Sequence, residues 1–191
     1  MKYRCLILAA VIALLSGCGQ QGGGKLDEAL AYRASLLSAG GCSFRAEITA
    51  DYGETVLPFA AQCQAEEESV SFTLLEPESI RGITGSVEGK TGKLTFDGQA
   101  VSFGTLVDGT VSPAAAPYVL CQSWREGYIS AVGQDDAGLR MTVSSAYAGN
   151  DLITDTWLDS EKGVPFCAEV CYNGQRILSV QISEFQFGSA E

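Results

Sequence analysis

Seven cysteines and no histidine set the chemistry open to this chain of 191 residues. Without imidazole there is no Ser-His-Asp or Cys-His nucleophile, no His-ligated metal and no His acid or base. Cys5 and Cys18 belong to the N-terminal segment, which leaves Cys42, Cys63, Cys121, Cys167 and Cys171. None of these forms a C-x-x-C redox motif, and their spacing is too open for a zinc site. The carboxylates are no better placed. Glu66-Glu67-Glu68 and Asp135-Asp136 fall in turn-like stretches and read as solvated surface. Asp97, Asp108, Asp151 and Asp155 lack calcium-loop spacing. Lys25, Lys90, Lys93 and Lys162 lie in turn-like or terminal settings, unlike a desolvated nucleophile. No catalytic constellation emerges, so the reading is a protein that binds rather than an enzyme, with no cofactor and no metal.

One cysteine pair follows from strand pattern. In 42–50 the even positions Cys42, Phe44, Ala46, Ile48 and Ala50 are small or apolar, and the odd ones are polar. A two-residue turn at Tyr52-Gly53 makes facing residues sum to 105, which sets Leu57, Phe59 and Ala61 on the same face and Cys63 opposite Cys42. At a non-hydrogen-bonded pair the Cα atoms approach to about 4.5 Å, within disulfide reach, so a Cys42–Cys63 bond is expected. Cys167 and Cys171 share a face but stand about 13 Å apart along one strand. Either could instead meet Cys121, and the odd count leaves at least one thiol free in a monomer.

The elements that position these residues begin after an address. Residues 1–17 combine a basic start (Lys2, Arg4), an apolar run and a small-residue exit, which reads as a secretory signal. Leu15-Ser16-Gly17-Cys18 has the form of a bacterial lipobox, with Cys18 as the acylated first residue of the mature chain. Residues 18–24 then form a Gly-rich tether spanning roughly 13 Å, so the domain 25–191 is held against the extracytoplasmic face of the cell membrane by acyl chains. Losing Lys2 and Arg4 and no acid takes the formal charge from −11 to −13. That charge excludes nucleic acid as a partner, and anionic lipid repels such a surface, so the acyl chains must do the anchoring.

Within the domain, a helix is expected over 25–39 with Leu26, Leu30, Ala34 and Leu37 as its apolar stripe. Val70, Phe72 and Leu74 continue the alternation, and Asp97-Gly98 turns a second hairpin between Leu94, Phe96 and Val101, Phe103. Ser112-Pro113 reads as an N-cap and first helical residue of a helix running to about residue 126. Strands follow at 128–134, 139–147, 152–159 and 164–172, and Asn173-Gly174 turns into 175–187. The order gives an α+β domain, one curled antiparallel sheet with two helices on one face. Phe44, Ile48, Phe59, Val70, Phe72, Leu74, Leu94 and Phe96 line that face, and Tyr118, Cys121 and Trp124 lie on the helix that covers it. Alternation alone does not separate a filled core from a hollow one.

This order, with the lipobox, resembles the LolA/LolB-type lipoprotein carriers and receptors and their relatives among Gram-positive surface lipoproteins. Ser112-Pro113 with the helix through Trp124-Arg125-Glu126-Gly127-Tyr128-Ile129 is similar to that family's central helix and exit strand. Thr156-Trp157-Leu158-Asp159 before Val164-Pro165-Phe166, and the closing Ile182-Ser183-Glu184-Phe185, resemble its later strands. The resemblance implies an unclosed half-barrel whose concave face is covered by helices and binds a lipid or acylated ligand between apolar side chains, here including Tyr118 and Trp124. The lipobox and short tether fit a fixed surface lipoprotein rather than a soluble shuttle. Some relatives hold an envelope or germination protein instead, so a protein-interaction scaffold stands as the alternative.

Overall fold

The computed structural model describes residues 23–107, 110–147 and 150–188. The signal segment and Cys18 lie outside the described residues. Helix α1 (Gly23–Ser38) precedes β1 (Cys42–Asp51), β2 (Val56–Ala65), β3 (Ser69–Glu76), β4 (Thr84–Glu88), β5 (Thr91–Phe96) and β6 (Gln99–Gly104). A small ribbon, β7 (Leu106–Val107) and β8 (Thr110–Val111), leads to α2 (Ala116–Arg125). The chain finishes with β9 (Tyr128–Gln134), β10 (Leu139–Tyr147), β11 (Asn150–Leu158), β12 (Pro165–Tyr172) and β13 (Gln175–Phe187). Eleven strands form one unclosed antiparallel sheet in the order β6-β5-β4-β3-β2-β1-β13-β12-β11-β10-β9, and both helices pack on one face. This is the curled α+β sheet with two helices on one face that the strand pattern implied, left unclosed as the resemblance implied.

The hairpins appear where the turn residues put them. Asp97 and Gly98 take φ of 47° and 74°, and Asn173 and Gly174 take 51° and 78°, as the two-residue turns require. The first hairpin is different. Its turn takes four residues, because the Asp51 carboxylate accepts the Gly53 N–H at 2.8 Å and Tyr52 N–H donates to Thr55. Facing residues therefore sum to 107, so Phe44 faces Cys63 and Cys42 faces Ala65. A slip of two keeps every side chain on its expected face but moves each one to a new partner. Chain direction into α2 also departs from expectation. Ser112 makes no side-chain cap, and a 3-10 turn, Pro113–Ala115, carries the chain into the helix at Ala116.

Helix α1 starts at Gly23, so the last two residues counted as tether belong to it. Its buried face is Ala29, Tyr32 and Leu36, while Leu26, Leu30 and Leu37 stand 41–48% exposed. The stripe of Leu26, Leu30, Ala34 and Leu37 is therefore not the packed face of α1. Polar docking decides the face: the Arg33 guanidinium donates to the carbonyls of Trp124 (2.9 Å), Gly127 (2.9 Å), Ser123 (3.2 Å) and Glu126 (3.2 Å). Those are the unpaired acceptors at the end of α2, where a cation is favoured. Arg33 can reach them only if Tyr32 and Leu36 turn inward with it.

Between α1 and β1 the chain needs a residue without a Cβ. A Cβ on Gly41 would lie 2.1 Å from the Ala65 carbonyl oxygen, a backbone atom that cannot rotate away. Gly41→Ala is expected to destabilise the domain by about 1–3 kcal/mol. A urea titration checks this, the midpoint falling while the slope stays constant.

Candidate functional site

The concave face is built from β1, β2, β3 and β10–β13, and α2 lies in it. Every residue of α2 except Gln122 and Arg125 is buried. Small side chains on the sheet make room: Ala46 faces Ala61, and Ala50 and Ala65 line the same face. At the far end of α2, Trp124 is fully enclosed, its Nε1–H donating to Thr156 Oγ1 at 3.0 Å. Its ring meets Phe44 at 5.3 Å, Phe185 at 6.0 Å and Tyr32 at 6.4 Å, largely edge to face.

The residues expected to line a ligand face therefore split. Phe44, Ile48, Val70, Phe72, Leu74, Tyr118 and Trp124 are buried in one continuous core. Phe59 and Leu94 pack partly against it. Phe96 does not belong with them, being 57% exposed. The register places it on the same face as Leu94, but at the β5–β6 edge no helix covers that face. Val101, opposite Leu94, is 67% exposed there. One member of the core was not anticipated. Glu184 takes a positive φ of 54° at a bulge between β1 and β13, which brings Phe185 onto the face of Ile182 and against Phe44. Strict alternation would have sent Phe185 outward, and no residue type marks the bulge.

Open space gathers beside α2 rather than beneath it. A cleft of about 760 Å³ runs between the helix and the β4–β5 end of the sheet. Tyr118, Gln122 and Glu126 form its helix side, and Glu67, Glu68 and Glu88 face them, with Lys93 as a basic counterweight. A second hollow of about 310 Å³ shares Tyr118, Gln122 and Glu126 and reaches Leu152. The cleft is open and acidic, not an apolar tunnel.

The cysteines lie apart from it. The expected Cys42–Cys63 bond is not formed, and Cys42, Cys63, Cys121, Cys167 and Cys171 are all free thiols. The two-residue shift in register moved Cys63 from opposite Cys42 to its diagonal. Cys121 shares the buried core with Cys42 and Cys63, whereas Cys167 and Cys171 point from β12 to the other face of the sheet, paired with Trp157 and Arg176. Burial pushes the thiols of Cys63, Cys121, Cys167 and Cys171 upward in pKa. That is the wrong direction for a nucleophile, which needs the thiolate. Among the described residues, no group of three or more Cys, Asp or Glu is arranged to hold a metal ion. Two of the acids build turns. Asp159 accepts the N–H groups of Glu161 and Lys162, and Asp135 accepts the Trp157 indole N–H at 2.8 Å, contacts that hold both carboxyls below their usual pKa.

No protein-family profile and no curated protein matches the sequence. Solved structures do. A LolA superfamily protein from Nitrosomonas europaea matches over 91% of this chain and 96% of its own, with 9% identity and a TM-score of 0.46. The chain is similar in fold to a LolA-type protein. A lipoprotein-sorting protein domain from Vibrio parahaemolyticus covers 85% of this chain and 91% of its own at 7% identity and a TM-score of 0.44. Lipoprotein LppX from Mycobacterium tuberculosis covers 82% and 94% at 12% identity and 0.39.

Proposed function

We propose that this chain is a non-catalytic lipoprotein, exported, acylated at Cys18 and held on its short tether at the extracytoplasmic face of the membrane, where it acts as a scaffold for an envelope protein. One observation carries the reading: α2 fills the concave face, so the apolar residues that would have sheathed an acyl chain instead pack on one another. A hollow of that size would have cost stability unless a ligand filled it. Beside α2 the space left is an open cleft at Tyr118, Gln122 and Glu126, whose four glutamates against Lys93 favour a partner presenting basic groups.

Binding of a lipid or acylated ligand keeps one specific support. Leu94, Phe96 and Val101 extend the concave apolar face beyond the helix as a shelf on which a chain could lie. A photo-crosslinking residue at Gln122, introduced into the lipoprotein in its own cells, separates the two. A protein-sized adduct that weakens with Glu88→Lys is expected. An adduct of lipid mass, or a lipid beyond the Cys18 anchor retained in native mass spectrometry, would overturn the scaffold reading in favour of the acyl one.

A further inference from the structure

Helix α1 carries apolar side chains on two sides, and the sheet takes only one of them. Ala29, Tyr32 and Leu36 are buried. Leu26, Leu30, Ala34 and Leu37 recur at helical spacing and are all exposed. At about 100° per residue these four fall within an arc of about 80°, roughly 120° round the helix from the buried side. Leucines exposed singly are ordinary, but three in one row on a helix make a patch that marks a contact. Strand β9, which packs beside α1, opens on Tyr128, 75% exposed, directly after the Gly127 whose carbonyl Arg33 holds. An aromatic ring with a polar tip suits the boundary between water and hydrocarbon. No described helix is long and apolar enough to cross a membrane, so any contact of α1 with a bilayer lies along its surface.

We propose that this row is a membrane-facing surface, with α1 lying in the headgroup boundary of the bilayer that anchors Cys18. The inference rests on the reading of Cys18 as the acylated residue, and the place of the row in the chain selects its occupant. The peptide steps from Cys18 to Gly23 extend to at most about 18 Å, and Leu26 stands only ~5 Å further along the helix. The row then runs about 16 Å to Leu37. An anchor that close keeps α1 at the interface, where its leucines leave water without recruiting a separate partner. Charge permits the contact. Lys25 and Arg33 balance Asp27 and Glu28, so α1 is formally neutral and the excess of acid lies elsewhere on the domain. The acyl chains supply the hold, and the row supplies the orientation. Arg33 fastens α1 to the carbonyls of Glu126 and Gly127 at the end of α2, and Glu126 also lines the cleft. Seating α1 therefore fixes how the cleft stands above the bilayer.

The test uses the full lipoprotein, purified from its membranes and reconstituted into phosphatidylcholine vesicles. Its intact mass first reports whether Cys18 is acylated. A fluorescent amino acid is placed at Leu30 on the row, or at Ser35, exposed on another side of α1. Phosphatidylcholine carrying a nitroxide on its acyl chain is the quencher. Quenching at Leu30 should exceed that at Ser35 by about twofold or more. With Leu26→Gln and Leu37→Gln it should fall to the Ser35 value. The Tm of that variant should move by no more than about 2 °C, because both side chains are exposed. An unmodified Cys18 would overturn the anchor and the membrane contact together. Equal quenching at the two positions of an acylated chain would overturn the contact alone. A photo-crosslinker at Leu30 that joins a second copy of the chain, in place of lipid, would assign the row to a dimer and defeat the proposal as well.

Discussion

Trp124→Ala should be the most damaging single substitution in the domain, lowering its stability by about 3–5 kcal/mol. At ~2–4 °C per kcal/mol for a chain of this size, the Tm should fall by about 10–15 °C. Two terms add. The indole is fully enclosed at the point where α2 meets Phe44, Tyr32 and Phe185, so its removal leaves a void that neighbouring rings cannot close. It also donates to Thr156 Oγ1, a buried hydroxyl on β11. Trp124→Phe separates the terms. It keeps most of the apolar volume and removes only the N–H, at a cost of about 1–3 kcal/mol. Thermal unfolding followed by far-UV circular dichroism gives both values. Equal losses for the two variants would mean that the hydrogen bond, not the packing, holds the end of α2.

Arg33→Ala should cost about 2–3 kcal/mol and act locally. The guanidinium gathers four carbonyls from the last turn and exit of α2, acceptors that the helix itself leaves unpaired. Its partial exposure keeps the cost below that of a buried charge pair. Losing it should free α1 while leaving the sheet intact. Hydrogen exchange should show amides of α1 opening faster, with those of β1 and β13 unchanged. Arg33→Lys should recover less than half, because an ammonium cannot span acceptors spread over Ser123 to Gly127. Unchanged protection in α1 would show that Tyr32 and Leu36 alone dock the helix.

These two residues mark where sequence reading stops. Arg33 and Trp124 are both visible in the chain, and helical pattern alone puts Trp124 on the covering helix. What its indole donates to, and what Arg33 caps, are contacts between residues 32 and 91 positions apart. Local pattern carries no signal for such pairs. The leucines of α1 show the same gap from the other side. Leu26, Leu30 and Leu37 have helical spacing, but the face that Arg33 needs lies elsewhere on the helix, and its polar contacts prevailed over the apolar stripe.

Strand parity was legible because it depends only on the two-residue repeat of an extended chain. It placed Phe44, Ile48, Phe59, Val70, Phe72 and Leu74 correctly on one face. The glycine-containing turns at Asp97-Gly98 and Asn173-Gly174 were legible because few residues tolerate positive φ. Register was not. It turned on the Asp51 carboxylate taking the Gly53 N–H and lengthening one turn, which was enough to part Cys42 from Cys63.

Cysteine content therefore divides the two kinds of knowledge. The residues alone determined that this chain has no histidine chemistry, that its strands alternate into one curled sheet, and that the five cysteines after Cys18 fall on strands and a helix. Only the tertiary structure decided which cysteines share the core, and whether the concave face is hollow. That filling depends on α2 packing against β2, β3 and β10, which come from both halves of the chain. The fit of a helix into a bed of small side chains is a three-dimensional sum over distant residues.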